Sequence, residues 1–271
     1  MYWQLWVIAM ADLANKVIIV TGGAASIGAA ITRKLHQDGA SVVVAARSTD
    51  KGEAIAQELG QRCQFIRTDI TSDADLTQLI DSTISEHGRL DVLVNNACSY
   101  GDDGAATSRQ TWLDTINTNA VSAAILGEMA RPHLKKSAGN IVNIGSISGA
   151  FPHIGRWAYP VAKATLRHLS KTQAVEYAQD GIRVNLLVLG HIWSDPFEGL
   201  TSNNRQHADK VSTPYNLLGR VANAEEVANV VAFVASAEAS YMTGGEIPVD
   251  GGYSAMGPEQ HTALMPLLMG Q

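Results

Sequence analysis

Charge is scarce in this chain: of 271 residues only 17% are Asp, Glu, Lys or Arg, against 46% apolar. That balance excludes a disordered, collagenous or coiled-coil chain and fits one globular domain able to bury a large core. Positive charge is the scarcer sign, with 20 Lys and Arg against 26 Asp and Glu and a formal net charge of −6. No basic run stands out, so neither nucleic acid nor an anionic membrane surface is an expected partner. Cysteine is nearly absent. Cys63 and Cys98 belong to no paired C-x-x-C pattern, which removes a disulfide framework or structural zinc site and leaves a reducing, cytoplasmic setting as the expectation. The eight histidines are scattered, with no H-E-x-x-H and no Cys/His cluster, so no catalytic metal is expected. No apolar run is long enough to span a bilayer, and the opening MYWQLWVIAM lacks the basic flank of a signal peptide.

What the chain has is rhythm. From Lys16 onward short β-branched runs alternate with helical patterns, the signature of a parallel sheet with crossover helices. The predicted strands are Val17 to Thr21, Ser41 to Ala45, Gln64 to Thr68, Val92 to Asn95, Asn140 to Ile144, Arg183 to Val188 and Glu246 to Val249. Several are nearly continuous apolar runs, as in strands covered on both faces. Ile27, Ile31 and Leu35 recur at helical spacing, as do Leu76, Leu79, Ile80 and Ile84. The fold class that follows is α/β: a single-domain, Rossmann-like, doubly wound parallel sheet of about seven strands with helices on both faces. Residues 1–11 read as an N-terminal extension, either an upstream start or a hydrophobic docking arm, and residues 12–271 as one domain. Within it, residues 191–214 read as an irregular substrate loop and residues 255–271 as a tail that packs over the substrate region or a neighbouring subunit, or frays.

The segment TGGAASIG, Thr21 to Gly28, follows a strand and opens a helix, placing backbone amides and a helix N-terminus where a pyrophosphate could bind. Gly22 permits the tight turn, and Gly28 is read as permitting close approach of backbone to cofactor. At the end of the second strand, where an NAD site carries an acid for the ribose, the sequence has Ala46 followed by Arg47. Two readings of Arg47 stay open, a partner for a 2′-phosphate and a solvated surface residue; the first favours NADP(H) over NAD(H). Asp69 and the NNA of Asn95 to Ala97 fall at the strand ends where open α/β sheets bind ligands. Tyr159 and Lys163 lie four apart in YPVAK and emerge on one helix face. A nearby ammonium, together with a cationic nicotinamide, is expected to favour the phenolate and let Tyr159 exchange a proton. Ser146, just past NIVNIG, is placed to polarise a substrate oxygen.

In order and context, the series Gly22 to Gly28, Asn95 to Ala97, Asn119, Ser146, Tyr159 and Lys163 resembles the motifs of the short-chain dehydrogenase/reductase family, over residues 12 to 254. The resemblance implies an NAD(P)-dependent oxidoreductase with Asn119, Ser146, Tyr159 and Lys163 as the catalytic set. It also implies cofactor contacts from Gly22, Ala25, Ser26, Ile27, Gly28, Arg47, Asp69, Ile70, Asn95, Ala97, Tyr159, Lys163, Gly190, Ile192 and Ser194. Lys163 would bond the nicotinamide ribose and lower the pKa of Tyr159, while Asn119 would hold a helix bend and a relay water. Three residues depart from the family pattern: Ser26 in place of a glycine, Cys98 in place of the glycine of NNAG, and Leu189 in place of a proline. Around the substrate the resemblance sets Ser148, His153 and Trp193, with Phe151, Trp157, Phe197 and Tyr100 nearby. That lining suggests a hydrophobic, cyclic secondary alcohol or ketone. Family members of this type form dimers or tetramers, and the apolar residues on several faces of the segments Trp112 to Arg131 and Trp157 to Gln179 agree with a homo-oligomer. The competing reading is a non-catalytic dinucleotide-binding regulatory or scaffold protein.

Overall fold

A computed structural model describes residues 12–257 and 264–270. The expected N-terminal extension, residues 1–11, lies outside them. The order of elements is β1 (Val17–Thr21), α1 (Ser26–Gln37), β2 (Ser41–Ala46), α2 (Thr49–Leu59), β3 (Cys63–Arg67), α3 (Asp73–His87), β4 (Val92–Asn95), α4 (Arg109–Ile116), α5 (Ser122–Ser137), β5 (Asn140–Ile144), α6 (Ala158–Tyr177), β6 (Arg183–Leu189), α7 (Asp195–Leu200), α8 (Arg205–Ser212), α9 (Ala224–Ala235), β7 (Glu246–Val249) and α10 (Leu264–Leu268). The strands form one parallel sheet of seven in the order β3-β2-β1-β4-β5-β6-β7.

Strand residues alternate between two cores because successive side chains point to opposite faces. Ile18, Val20, Val42, Val44, Val92 and Val94 join Ile31 and Leu35 of α1, Ile55 of α2 and Val227 and Val231 of α9 on one face. Ile19, Val43, Leu93 and Ile141 join Leu76 and Leu79 of α3, Leu126 and Leu134 of α5 and Ala174 and Tyr177 of α6 on the other. Both faces are therefore covered, which is why the strands read as apolar runs rather than as alternating ones.

Two expectations change. The single helical pattern over Trp112 to Arg131 is two helices, α4 and α5, joined by a π-helical turn at Asn117–Val121. The substrate loop is more regular than its Gly, Ser, Asn and Pro content suggests. Pro196 occupies the first turn of α7, where its missing N–H costs nothing, and the Asn204 side chain caps α8 by accepting from His207 N at 2.9 Å. In the tail, α10 leaves Leu264, Met265, Leu267 and Leu268 exposed. No helix among the described residues is long and apolar enough to cross a membrane.

Candidate active site

The chain runs outward from β1 through β2 to β3, then returns to place β4 on the other side of β1. Such a switch point leaves a crevice at the carboxyl ends of the strands. There a cleft of about 870 Å³ is lined by Gly22, Ala25, Ser26, Ile27, Gly28, Arg47, Asp69, Ile70 and Ala97, nine of the expected cofactor positions, and by Lys51, Asn96, Tyr100 and Asp195.

The turn after β1 is built by its own backbone. Gly22 has φ +65°, a left-handed conformation in which a side chain is strained, and a Cβ there would lie 2.9 Å from Ala97 Cα. At Gly28 a Cβ would sit 2.1 Å from the carbonyl oxygen of Gly22. Gly28 is thus required by the turn itself, before any cofactor approaches. Asn96, in the NNA motif but not among the expected cofactor contacts, fastens this turn: its Nδ2 donates to the carbonyls of Thr21 at 2.9 Å and Gly22 at 3.3 Å. Thr21 Oγ1 accepts from the N–H groups of Asn96 at 3.0 Å and Ala97 at 3.1 Å, so the two loops are joined twice. Asn95, expected to face the cofactor, donates from Nδ2 to buried Asn143 at 2.8 Å. Its position on the strand directs it inward, while Asn96 turns to the edge.

Ser26 adopts φ +52° and its Oγ accepts from the Asp195 N–H at 3.2 Å. Lys51 lies 3.9 Å from the Asp195 carboxylate, so the start of α7 reaches across the cleft. Ser194 donates to its neighbour Ile192 O at 3.0 Å, and Ile192 is buried against the core. At Gly190 a Cβ would meet Asp250 Cα at 2.6 Å, which explains the glycine by packing against the loop after β7. None of Gly190, Ile192 or Ser194 lines the 870 Å³ cleft. Asp69 accepts from both the N–H and the hydroxyl of Thr71; those bonds, the backbone one foremost, hold its carboxyl below the usual range, with Arg47 adding to it. Arg47 is exposed and makes no hydrogen bond or ion pair among the described residues.

Ser146, Tyr159 and Lys163 come together at the carboxyl edge beyond β5. Ser146 Oγ accepts from Ser148 N at 3.1 Å, and the Ser146 side chain lies close enough to the Tyr159 phenol to act on it electrostatically. Lys163 is buried, donates from Nζ to Ile144 O at 2.9 Å, and lies 5.7 Å from the Tyr159 ring centroid. Without a cofactor, burial governs both groups. Burial pushes the Tyr159 phenol up, Cys98 adds to that, and the Ser146 side chain and Arg156 charge offset only part of it. Burial likewise pushes Lys163 down. In the absence of a cofactor's charge Tyr159 is held protonated.

Asn119 sits in the π-helical turn, and both ends of its amide are held by Ser99: Oδ1 accepts from Ser99 N and Nδ2 donates to Ser99 O, each at 2.9 Å. This anchors the loop after β4, which does two further things that the sequence did not reveal. Tyr100 stacks on Tyr159 with ring centroids 5.2 Å apart, and Asp102 caps α6. The Asp102 carboxylate accepts from Trp157 N at 2.8 and 2.9 Å, from Tyr159 N at 2.8 Å and from Gly104 N at 3.0 Å. Among the expected substrate positions, Ser148 and His153 are half-buried in the loop between β5 and α6, Trp157 is exposed, and Trp193 lies under the Arg205 guanidinium at 5.3 Å.

Comparison with known proteins agrees with this geometry. Residues 22–254 match the family model described as enoyl-(acyl carrier protein) reductase. The chain belongs to the short-chain dehydrogenase/reductase family of oxidoreductases. It is 35% identical to L-fucose dehydrogenase of Bos taurus over 243 residues, covering 88% of this chain and 89% of the relative. It is 35% identical over 249 residues to cis-4-hydroxycyclohexanecarboxylate dehydrogenase of Sinomonas cyclohexanicum, covering 90% and 98%. Identity to 3-oxoacyl-(acyl-carrier-protein) reductase FabG of Escherichia coli strain K12 is 36% over 240 residues, covering 88% and 97%.

Proposed function

We propose that this protein interconverts a secondary alcohol and a ketone with a nicotinamide cofactor, residues 12–271 serving as one binding and catalytic domain. The observation that carries the proposal is the convergence of Ser146, Tyr159 and Lys163 beside a cleft of dinucleotide size. The residues present suit such a cofactor: a glycine turn at a helix N-terminus for the pyrophosphate, and exposed Arg47 lining the cleft with no ion pair among the described residues. When bound, the nicotinamide supplies a hydride acceptor or donor at C4.

The chain's own residues hold the substrate and move the proton. In alcohol oxidation the carbinol carbon loses hydride while its hydroxyl proton passes to Tyr159 Oη, leaving a ketone. Tyr159 accepts that proton as a phenolate, the form favoured once a cationic ring lies beside it. Ser146 donates a hydrogen bond to the substrate oxygen and stabilises the charge that develops there. Lys163 spends one of its three N–H donors on Ile144 and keeps the others for the cofactor ribose. Asn119 positions the Tyr100 loop through Ser99.

Arg47 favours NADP(H) over NAD(H). Two of the relatives are named for dehydrogenation of ring alcohols, which supports a cyclic substrate. Leu113 of α4, Ile125 of α5 and Val161 and Val175 of α6 are exposed, which supports a homo-oligomer, dimer or tetramer; the two unpaired cysteines support a reducing, cytoplasmic setting.

The test is a fluorescence titration with NADPH and NADH, followed by turnover of cyclic alcohols and ketones. Tyr159→Phe should lower turnover by roughly 10²–10⁴-fold while cofactor affinity is kept. Retained turnover refutes the role of Tyr159. Cofactor binding without turnover of any alcohol or ketone shifts the reading to a non-catalytic dinucleotide-binding protein, and tighter NADH binding overturns the role of Arg47 alone.

A further inference from the structure

A cluster of rings stands on the β6 side of the Ser146 region. His191, two residues beyond the end of β6, lies 5.7 Å from the Phe197 ring, 6.2 Å from Tyr215 and 6.0 Å from Tyr253. His153, in the loop leaving β5, lies 6.4 Å from the same Tyr253 ring, and Phe151 lies 5.6 Å from it. β5 and β6 are hydrogen-bonded neighbours, so these two loops leave the carboxyl edge side by side, and the first of them carries Ser146.

Within this apolar setting two polar atoms have no partner among the described residues. His153 Nε2 and His191 Nδ1 are buried and make no hydrogen bond to any of them. Buried polar atoms are nearly always paired, and an orphan in a native fold calls for an explanation such as ligand binding. Burial, with Arg156 adding to it, pushes the His153 imidazole below its ordinary value; burial, with His153 adding to it, does the same to His191. Both rings are therefore neutral near pH 7. A neutral imidazole has one donor and one acceptor nitrogen, which match a hydroxyl better than they match a carboxylate, an acceptor alone. The Tyr253 ring between the two histidines offers an apolar face to the C–H side of a substrate ring.

Resting on the oxidoreductase reading above, we infer that His153 and His191 read a second hydroxyl on the substrate, which is a neutral ring alcohol carrying at least one hydroxyl besides the one oxidised. Polyhydroxylated rings fit this pairing, and a bare cyclic alcohol leaves both imidazoles unsatisfied. This adds a second hydroxyl to the hydrophobic, cyclic alcohol expected from the aromatic lining, and it adds His191, which sequence reasoning passed over.

The experiment compares kcat/KM of the full-length protein for cyclohexanol, the cis and trans cyclohexanediols, L-fucose and cis-4-hydroxycyclohexanecarboxylate, using the cofactor that binds more tightly. His153→Phe and His191→Phe are measured beside the unaltered chain. At least one neutral polyhydroxylated ring should exceed cyclohexanol by about 10- to 100-fold in kcat/KM, mainly through KM, because the site rejects a ligand that leaves its buried polar atoms unpaired. That ratio should fall toward one in each variant. The ratio in the unaltered chain tests the idea even where a variant folds poorly. Equal turnover of cyclohexanol and all its hydroxylated analogues overturns the inference, as does a preference that survives both substitutions or a carboxylate turned over faster than every neutral ring. Each of those results leaves the oxidoreductase reading intact; cofactor binding with no turnover of any compound overturns that reading and the inference with it.

Discussion

Replacing Asp102 by Ala tests whether the loop after β4 holds the helix that carries Tyr159 and Lys163. The carboxylate accepts from Trp157 N and Tyr159 N, two of the donors that the first turn of α6 cannot satisfy internally. An N-cap side chain is worth about 1 kcal/mol, and hydrogen bonds to a charged group about 1.5–3 kcal/mol each. Because the Trp157 end is exposed, about 2–3 kcal/mol for the whole substitution is the reasonable magnitude. For a chain of this length that lowers Tm by roughly 5–10 °C. Asp102→Asn keeps an acceptor oxygen and should cost about half as much. Burial raises the Asp102 carboxyl, but the N–H bonds from Trp157, Tyr159, Gly104 and Ala158 outweigh it and hold the group below its ordinary value. The sign follows: the contribution is complete above the unfolded value of about 4 and is lost as pH falls through the lower folded value. Thermal melts from pH 2 to 7 and steady-state kinetics are the assays. Since the Tyr159 N–H is held directly, kcat should fall by about ten-fold or more as the phenol loses register. An Asp102→Ala protein that melts within 1 °C or so of the unaltered chain, with kcat unchanged, refutes the argument.

Three further outcomes follow from single contacts. Gly28→Ala places a methyl against the Gly22 carbonyl and should destabilise the cofactor-free protein by about 3 kcal/mol or more; an unchanged cofactor-free Tm with loss of cofactor binding alone would restore the view that the cofactor demands this glycine. The Arg220 side chain, followed by the Asn223 N–H, pulls Glu226 down to about 2, so the stability it contributes is present above about 4.5 and fades toward pH 2. Melts of the unaltered chain and Glu226→Gln should converge as pH approaches 2, and parallel curves would show that the pair contributes nothing. Burial raises the Cys63 thiol to about 11, so iodoacetamide at pH 8 should leave Cys63 unmodified in the native protein, which peptide mass spectrometry reads directly.

The sheet was legible in the sequence because a parallel strand covered on both faces must be apolar at consecutive positions. Val17–Thr21, Val92–Asn95, Asn140–Ile144 and Glu246–Val249 occur with the bounds read from the chain. Residues 191–214 were less legible. Their helices α7 and α8 are short and polar, and their apolar spacing is too brief to register against the Gly, Ser, Asn and Pro around it. The π-helical turn at Asn117–Val121 was equally hidden, since its extra residue alters the helical period only locally.

The site divides along the same line. Tyr159 and Lys163 share one helix, so their spacing reported their proximity, and Ser146 lay beyond a strand whose end could be read. Asp102 and His191 carry no comparable local signal, because each acts on a partner far away in the chain, Asp102 on Trp157 and Tyr159 and His191 on Tyr253; Asn96 stands inside the NNA motif, but its action on Thr21 and Gly22 is equally remote. Only the register of the sheet brings those pairs together. A sequence motif records chemistry that a single element performs, whereas the residues that aim that chemistry are dispersed over loops at one edge. Asp102 aims the helix that carries Tyr159, Asn96 the turn after β1, and His191, on the inference above, the substrate. Substitutions at His153 and His191 should therefore change which alcohol is used, whereas substitutions at Tyr159 and Lys163 should change whether any is.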